Sequence, residues 1–99
     1  MSRRNTPRMV TGIILIRAVR EKVHDVAQQL VGLKEVSEIY SVAGRWDLVA
    51  MVRVPSLEAL EDVIAGHLAH AGGICQTETL VACRAYSKID LERLFSEAG

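Results

Sequence analysis

The sequence has 99 residues, 49% of them hydrophobic, and its twelve lysines and arginines cancel its twelve aspartates and glutamates. That length leaves no room for two ordinary domains, and the charge balance excludes a global field that would draw in nucleic acid or an anionic membrane. A chain of this size buries only about two-thirds of the surface that its unfolded form exposes, so the apolar excess points to a second buried surface, most simply one between subunits.

Residues 1–9 carry Arg3, Arg4 and Arg8 without an acidic residue and read as a flexible tail, with a contact to phosphate as the alternative. Val10 to Arg17 is a β-branched run too short for an ordinary helix and predicts the first strand. From Arg20 to Val31, Val23, Val26, Ala27 and Leu30 recur at the spacing of a helix with one buried face, and Gly32 follows where a left-handed cap commonly sits.

Residues 35–43 and 47–54 predict two strands joined as an antiparallel hairpin around Gly44-Arg45-Trp46-Asp47. Pro55 ends the second, because it cannot donate to a ladder. Ser56 stands as the N-cap of a helix with Glu58 and Glu61 near its positive end, and Leu57, Leu60, Val63, Ile64 and Leu68 mark its buried stripe. Gly72-Gly73 stops that helix. Thr77 to Ala85 predicts the last strand, and residues 87–99 a C-terminal helix with Ile89, Leu91, Leu94 and Phe95 on its apolar side.

The order βαββαβ plus a C-terminal helix predicts an α+β, ferredoxin-like split βαβ fold, with both helices on one face of a four-stranded sheet. The opposite face of such a sheet is ordinarily polar. Here Ile13, Ile14, Leu15 and Ile16, and then Leu48, Val49, Ala50, Met51, Val52 and Val54, put apolar side chains on both faces. An exposed patch of that extent is unusual on a monomer. The expectation is therefore a two-fold homodimer with its sheets back to back, a dimeric α/β barrel.

Cys75 and Cys83, on one extended strand, would have α-carbons about 26 Å apart, far beyond disulfide reach. Both read as small buried apolar residues, which fits a reducing cytoplasm. No apolar run approaches the ~20 residues of a membrane span, and no signal peptide precedes the first strand.

Catalytic chemistry is sparse. His67 and His70 lie about one helical turn apart without an indicated third ligand, so they and His24 read as solvated helix residues and not as a metal site. Glu58, Glu61 and Asp62 read as a solvated helix face. No phosphate-binding loop, zinc spacing or nucleophile elbow is present, so no cofactor, metal or catalytic residue is assigned. The hairpin Gly44-Arg45-Trp46-Asp47 carries more information, since it contains the sole tryptophan beside an arginine and a carboxylate. It supports two readings: ordinary turn chemistry with Trp46 packed on the sheet edge, or a ligand loop whose backbone N–H groups bind a carboxylate while Asp47 binds an ammonium.

Leu33-Lys34-Glu35-Val36, then Tyr40, then Gly44-Arg45-Trp46-Asp47 resembles the Leu-Pro-x-Val…Tyr…Thr-Gly-x-aromatic-Asp pattern of Lrp/AsnC effector domains. Val52-Arg53-Val54-Pro55, Leu57-Glu58-Ala59-Leu60 and Gly73-Ile74-Cys75-Gln76-Thr77-Glu78-Thr79 continue it, the last resembling the family's Pro-Gly-Val-x-x-Thr-x-Thr. Lys34, Ala43 and Gly72 depart from the pattern, and Ala43 lacks the hydroxyl of the family's threonine. Full-length members carry an N-terminal helix-turn-helix domain, for which the residues before the first strand are too few, so the chain resembles the solitary effector modules.

The resemblance implies an amino acid or similar small effector bound between subunits of neighbouring dimers, and assembly into larger rings, typically octamers. It implies effector contacts from Gly44, Arg45, Trp46 and Asp47, with Thr77 and Thr79 adding hydroxyls from one face of a strand. Without a DNA reader of its own, such a module would act by mixing with full-length Lrp/AsnC regulators. Two alternatives stand beside this reading. One is a small monooxygenase or isomerase of the ferredoxin-like barrel type, using Trp46 or Tyr40, and the other is a structural assembly subunit without ligand.

Overall fold

In a computed structural model, residues 9–88 are described. The elements are β1 (Val10–Ala18), α1 (Val23–Val31), β2 (Val36–Ser41), β3 (Leu48–Val54), α2 (Leu57–Gly66) and β4 (Ile74–Val81), with 3-10 turns at Arg20–Lys22 and Leu68–His70. The four strands form one antiparallel sheet in the order β2-β3-β1-β4. This is the ferredoxin-like βαββαβ arrangement expected from the sequence, with the two strands that precede the helices at the centre.

Alternation along β1 separates the two faces. Gly12, Ile14, Ile16 and Ala18 are buried under the helices, whereas Thr11, Ile13 and Leu15 between them are half-buried on the side that no helix covers. In β3, Leu48, Ala50, Val52 and Val54 are buried in the same way. From α1, Val26 and Leu30 complete the core, and from α2, Leu60 and Val63. Gly12 allows the closest approach, since a Cβ there would lie 2.7 Å from Cδ1 of Leu60. The central strand thus accepts α2 directly against its backbone.

Ser56 caps α2 as expected, its Oγ accepting from the Ala59 N–H at 3.0 Å. Leu57 departs from the predicted stripe and is exposed. As the first helical residue it projects back past the helix start and off the sheet. The first predicted helix begins as a 3-10 turn and becomes α-helical only at Val23.

Gly32 is right-handed, with φ −76°, and not the left-handed cap expected of it. Leu33 N–H donates to the Leu30 carbonyl at 3.0 Å, so the chain leaves the helix through a tight right-handed turn. The positive φ angles belong to Gly44 (139°) and Gly73 (98°). At Gly73 a Cβ would also meet the Lys22 Cβ at 2.9 Å, so this residue passes beneath the start of the first helical segment.

The last strand starts three residues earlier than predicted and ends at Val81, not Ala85. The turn at Gly73 releases the chain directly into the ladder, and Gly12↔Val81 is the last pair because β1 begins just before it. Cys75 and Cys83 are free, but both are exposed, contrary to the buried placement expected. Cys75 lies on an edge strand where the register shifts between Arg17 and Ala18, and Cys83 lies beyond the strand. The predicted C-terminal helix over residues 87–99 and the predicted tail over residues 1–9 fall almost wholly outside the described residues. Among the described residues, no helix is long and apolar enough to cross a membrane.

Gly73→Ala is expected to destabilise the fold by about 1–3 kcal/mol, because it meets both left-handed strain and a close contact. The neighbouring Gly72→Ala, with open space at its Cβ, is expected to be neutral or stabilising by up to about 1 kcal/mol. Ser56→Ala is expected to cost about 1 kcal/mol. Urea midpoints at unchanged slope check all three.

Candidate functional site

The hairpin between β2 and β3 turns at the edge of the sheet, and its conformation is imposed largely from β1. Asp47 N–H donates to the Ile16 carbonyl at 2.9 Å, and the Asp47 carbonyl accepts from Val42 N–H at 3.1 Å. The Asp47 carboxylate reaches the neighbouring position, its Oδ2 accepting from Ala18 N–H at 2.9 Å. This amide points to the same side of β1 as the Ile16 carbonyl, beyond the end of the β1–β3 ladder at the Ile16–Leu48 pair. One carboxylate oxygen therefore satisfies a backbone donor that the ladder leaves over.

Arg17 grips the same turn. Its Nε and Nη2 donate to the Arg45 carbonyl at 3.3 and 2.9 Å, and its guanidinium carbon lies 5.7 Å from the centre of the Trp46 ring. Trp46 is thereby half-buried in a turn whose residues Ala43, Gly44 and Arg45 are exposed. Among the described residues, the backbone N–H groups of Gly44, Arg45 and Trp46 donate no hydrogen bond. Successive unpaired N–H groups are donors available to an anionic oxygen.

Thr77 and Thr79 do share a face. Thr77 pairs with Ile16 and Thr79 with Ile14, which places both on the helix-covered side of β4. Thr79 is half-buried and Thr77 exposed. Thr77 lines a cavity of about 240 Å³ with Leu68, Ala71, Cys75 and Gln76, to which the turn does not contribute. The structure therefore assembles the predicted residues as two groups on opposite sides of β1: Gly44, Arg45, Trp46 and Asp47 on one, Thr77 and Thr79 on the other.

A larger cavity of about 450 Å³ opens where β2 begins and β3 ends, lined by Lys34, Glu35, Asp62 and His67 over Val54 and Val63. His67 ends α2 and His70 ends the following 3-10 turn. Among the described residues, no group of three His, Cys, Asp or Glu side chains is placed to hold a metal ion.

The uncovered sheet face carries Ile13 and Leu15 beside Val49 and Met51, with Tyr40 and Leu80 flanking them by register. Tyr40 and Leu80 are exposed to 49% and 44%, so this face presents a continuous apolar surface to solvent in the single chain. On this face the Glu38 carboxylate accepts from the Tyr40 hydroxyl. That hydrogen bond, with desolvation and the adjacent negative charge, holds the phenol above its ordinary pKa of 10.0, while Arg53 acts in the opposite direction.

Sequence reasoning missed Arg17 and Ala18. An arginine closing an otherwise apolar strand was the available signal for the first, and a backbone amide offers none.

Residues 11–90 match the family model of the Lrp/AsnC ligand binding domain. An uncharacterised HTH-type transcriptional regulator of Pyrococcus horikoshii is 33% identical over 75 residues, which cover 73% of this chain and 50% of the relative. The chain thus spans about half the length of the curated relatives it matches. A protein of known crystal structure from Thermus thermophilus is 39% identical with a TM-score of 0.76, over 80% of this chain and 99% of that one. The fold alone extends to the complex of a transcriptional regulator of Neisseria meningitidis with L-Met, 12% identical with a TM-score of 0.76 over 88% of this chain and 58% of that one. By the family match over most of its length, the chain belongs to the Lrp/AsnC ligand binding domain family.

Proposed function

We propose that the chain is a cytoplasmic effector-binding and oligomerisation module, regulatory and not enzymatic, whose ligand is an amino acid or a similarly small zwitterion. The observation that carries this reading is the Gly44–Asp47 turn, with three unpaired N–H groups beside a carboxylate that still has one oxygen without a partner. The N–H groups match a ligand carboxylate, and the free Asp47 oxygen matches an ammonium. L-Met bound to a regulator of the same fold makes amino acids the first class to test.

Pairing of two chains through their uncovered sheet faces would bury Ile13, Leu15, Val49, Met51 and Leu80. The same pairing sets the turn of each subunit close to a subunit boundary. Within one chain the turn and the Thr77–Thr79 pair stand on opposite sides of β1, which supports a ligand site between subunits, as in a ring of dimers such as an octamer. A ligand bound between subunits shifts assembly toward the oligomer it contacts better. The balanced charge gives the domain no general affinity for DNA, so its regulatory action would pass through mixed assembly with full-length relatives.

A thermal-shift screen of the twenty amino acids tests effector binding. At a concentration of about 100 times Kd, a true effector is expected to add about 2.7 kcal/mol of stability, and Asp47→Ala to abolish the response. No shift from any amino acid overturns amino-acid sensing. For oligomerisation, light scattering is expected to find a dimer or larger assembly in the wild type and a smaller species for Met51→Glu, since an unpaired charge at a buried interface costs several kcal/mol. A monomeric wild type overturns the pairing.

A further inference from the structure

Arg17 occupies the last position of β1 on the uncovered face, continuing the series Thr11, Ile13 and Leu15. Its neighbour in β1, Ile16, pairs with Leu48, the first residue of β3, so Arg17 stands where β3 has already given way to the turn. The guanidinium fills that place and donates twice to the Arg45 carbonyl. Because a trans peptide is planar, its carbonyl and the following N–H point in opposite directions. Fixing the Arg45 oxygen toward Arg17 therefore fixes the Trp46 N–H pointing away from it, outward from the turn. The same guanidinium lies over the ring of Trp46, its central carbon 5.7 Å from the ring centre. Ala18, the next residue, takes the Asp47 carboxylate. Two consecutive residues of β1 thus define the peptide plane and the carboxylate of the turn.

We infer that Arg17 is the positioning residue through which the uncovered sheet face and the Gly44–Asp47 turn act on one another. A second sheet packed on this face removes water from around the guanidinium. The hydrogen bonds to Arg45 and the contact with Trp46 then strengthen, because both are electrostatic and water competes with both. Pairing stiffens the turn in the conformation that presents the Trp46 N–H. By reciprocity, a ligand that needs that conformation favours the paired state. Lysine would retain the charge without the forked, two-donor geometry. The consequence for ligand affinity rests on the effector reading above, whereas the coupling of pairing to the turn does not.

Trp46 is the sole tryptophan, so acrylamide quenching of its fluorescence reports on the turn directly and without ligand. The comparison is between wild type, Arg17→Lys, Met51→Glu and the double variant, with mass followed by light scattering and folding by circular dichroism. Met51→Glu, which separates the sheets at a distance from the turn, is expected to raise the quenching constant about twofold. Arg17→Lys is expected to do the same while the dimer mass persists, and the double variant to add nothing further. Dilution of the wild type through its dissociation range provides the same comparison without a substitution. Quenching that is unchanged on separation, or that rises additively in the double variant, overturns the coupling. Where an amino acid scores in the thermal screen, Arg17→Lys is expected to weaken it about tenfold. An absence of any such amino acid removes the effector reading but leaves the quenching result to decide the role of Arg17.

Discussion

The two faces of β1 impose the central constraint on this molecule. Ile14 and Ile16 are fully buried beneath the helices, and the residues between and beside them, Ile13 and Leu15, are apolar as well. Two helices cover one face of a four-stranded sheet and leave the other to a partner or to water. Apolar residues on both faces mean that folding of one chain satisfies only half of the central strand. Ile13, Leu15, Val49 and Met51 are half-buried and Leu80 is exposed, and these are the side chains that the pairing proposed above would cover, against association costs of about 4–15 kcal/mol.

The element order was legible because it is encoded locally. Short β-rich apolar runs mark β1 and β3, a period near 3.6 marks α1 and α2, and Pro55-Ser56 punctuates the boundary between strand and helix. What was not legible depended on neighbours distant in sequence. Gly32 and Gly73 look alike as helix-terminating glycines, but only Gly73 passes close beneath Lys22 and Val26 and adopts a positive φ. Cys75 reads as a buried apolar residue until the strand order makes β4 an edge. Leu57 matches the α2 stripe in period and fails by position, since it precedes the point at which the helix reaches the sheet.

The candidate site divides in the same way. Its residue types were visible in one stretch of sequence, and the shared face of Thr77 and Thr79 follows from their spacing. The role of Asp47 in bracing the turn was not visible, because its partner is an amide 29 residues away that lacks a ladder partner only because the β1–β3 ladder ends at the Ile16–Leu48 pair. Nor does any spacing state that β1 runs between the turn and the threonines. That separation follows from the strand order, and it turns a list of six residues into two separate groups.

A turn braced from outside itself differs in kind from a flexible ligand loop. Ordering a loop around a ligand subtracts from the binding energy at every residue that must be fixed. Here the cost is met during folding, by contacts between β1 and the backbone or carboxylate of residues 45–47. These contacts make no demand on the side chain of Arg45, which is held by its carbonyl alone and is exposed. Gly44 needs its φ of 139°, Trp46 needs its ring against Arg17, and Asp47 needs its carboxylate. In Gly-Arg-Trp-Asp the three constrained positions thus enclose one whose backbone is fixed and whose side chain is left exposed.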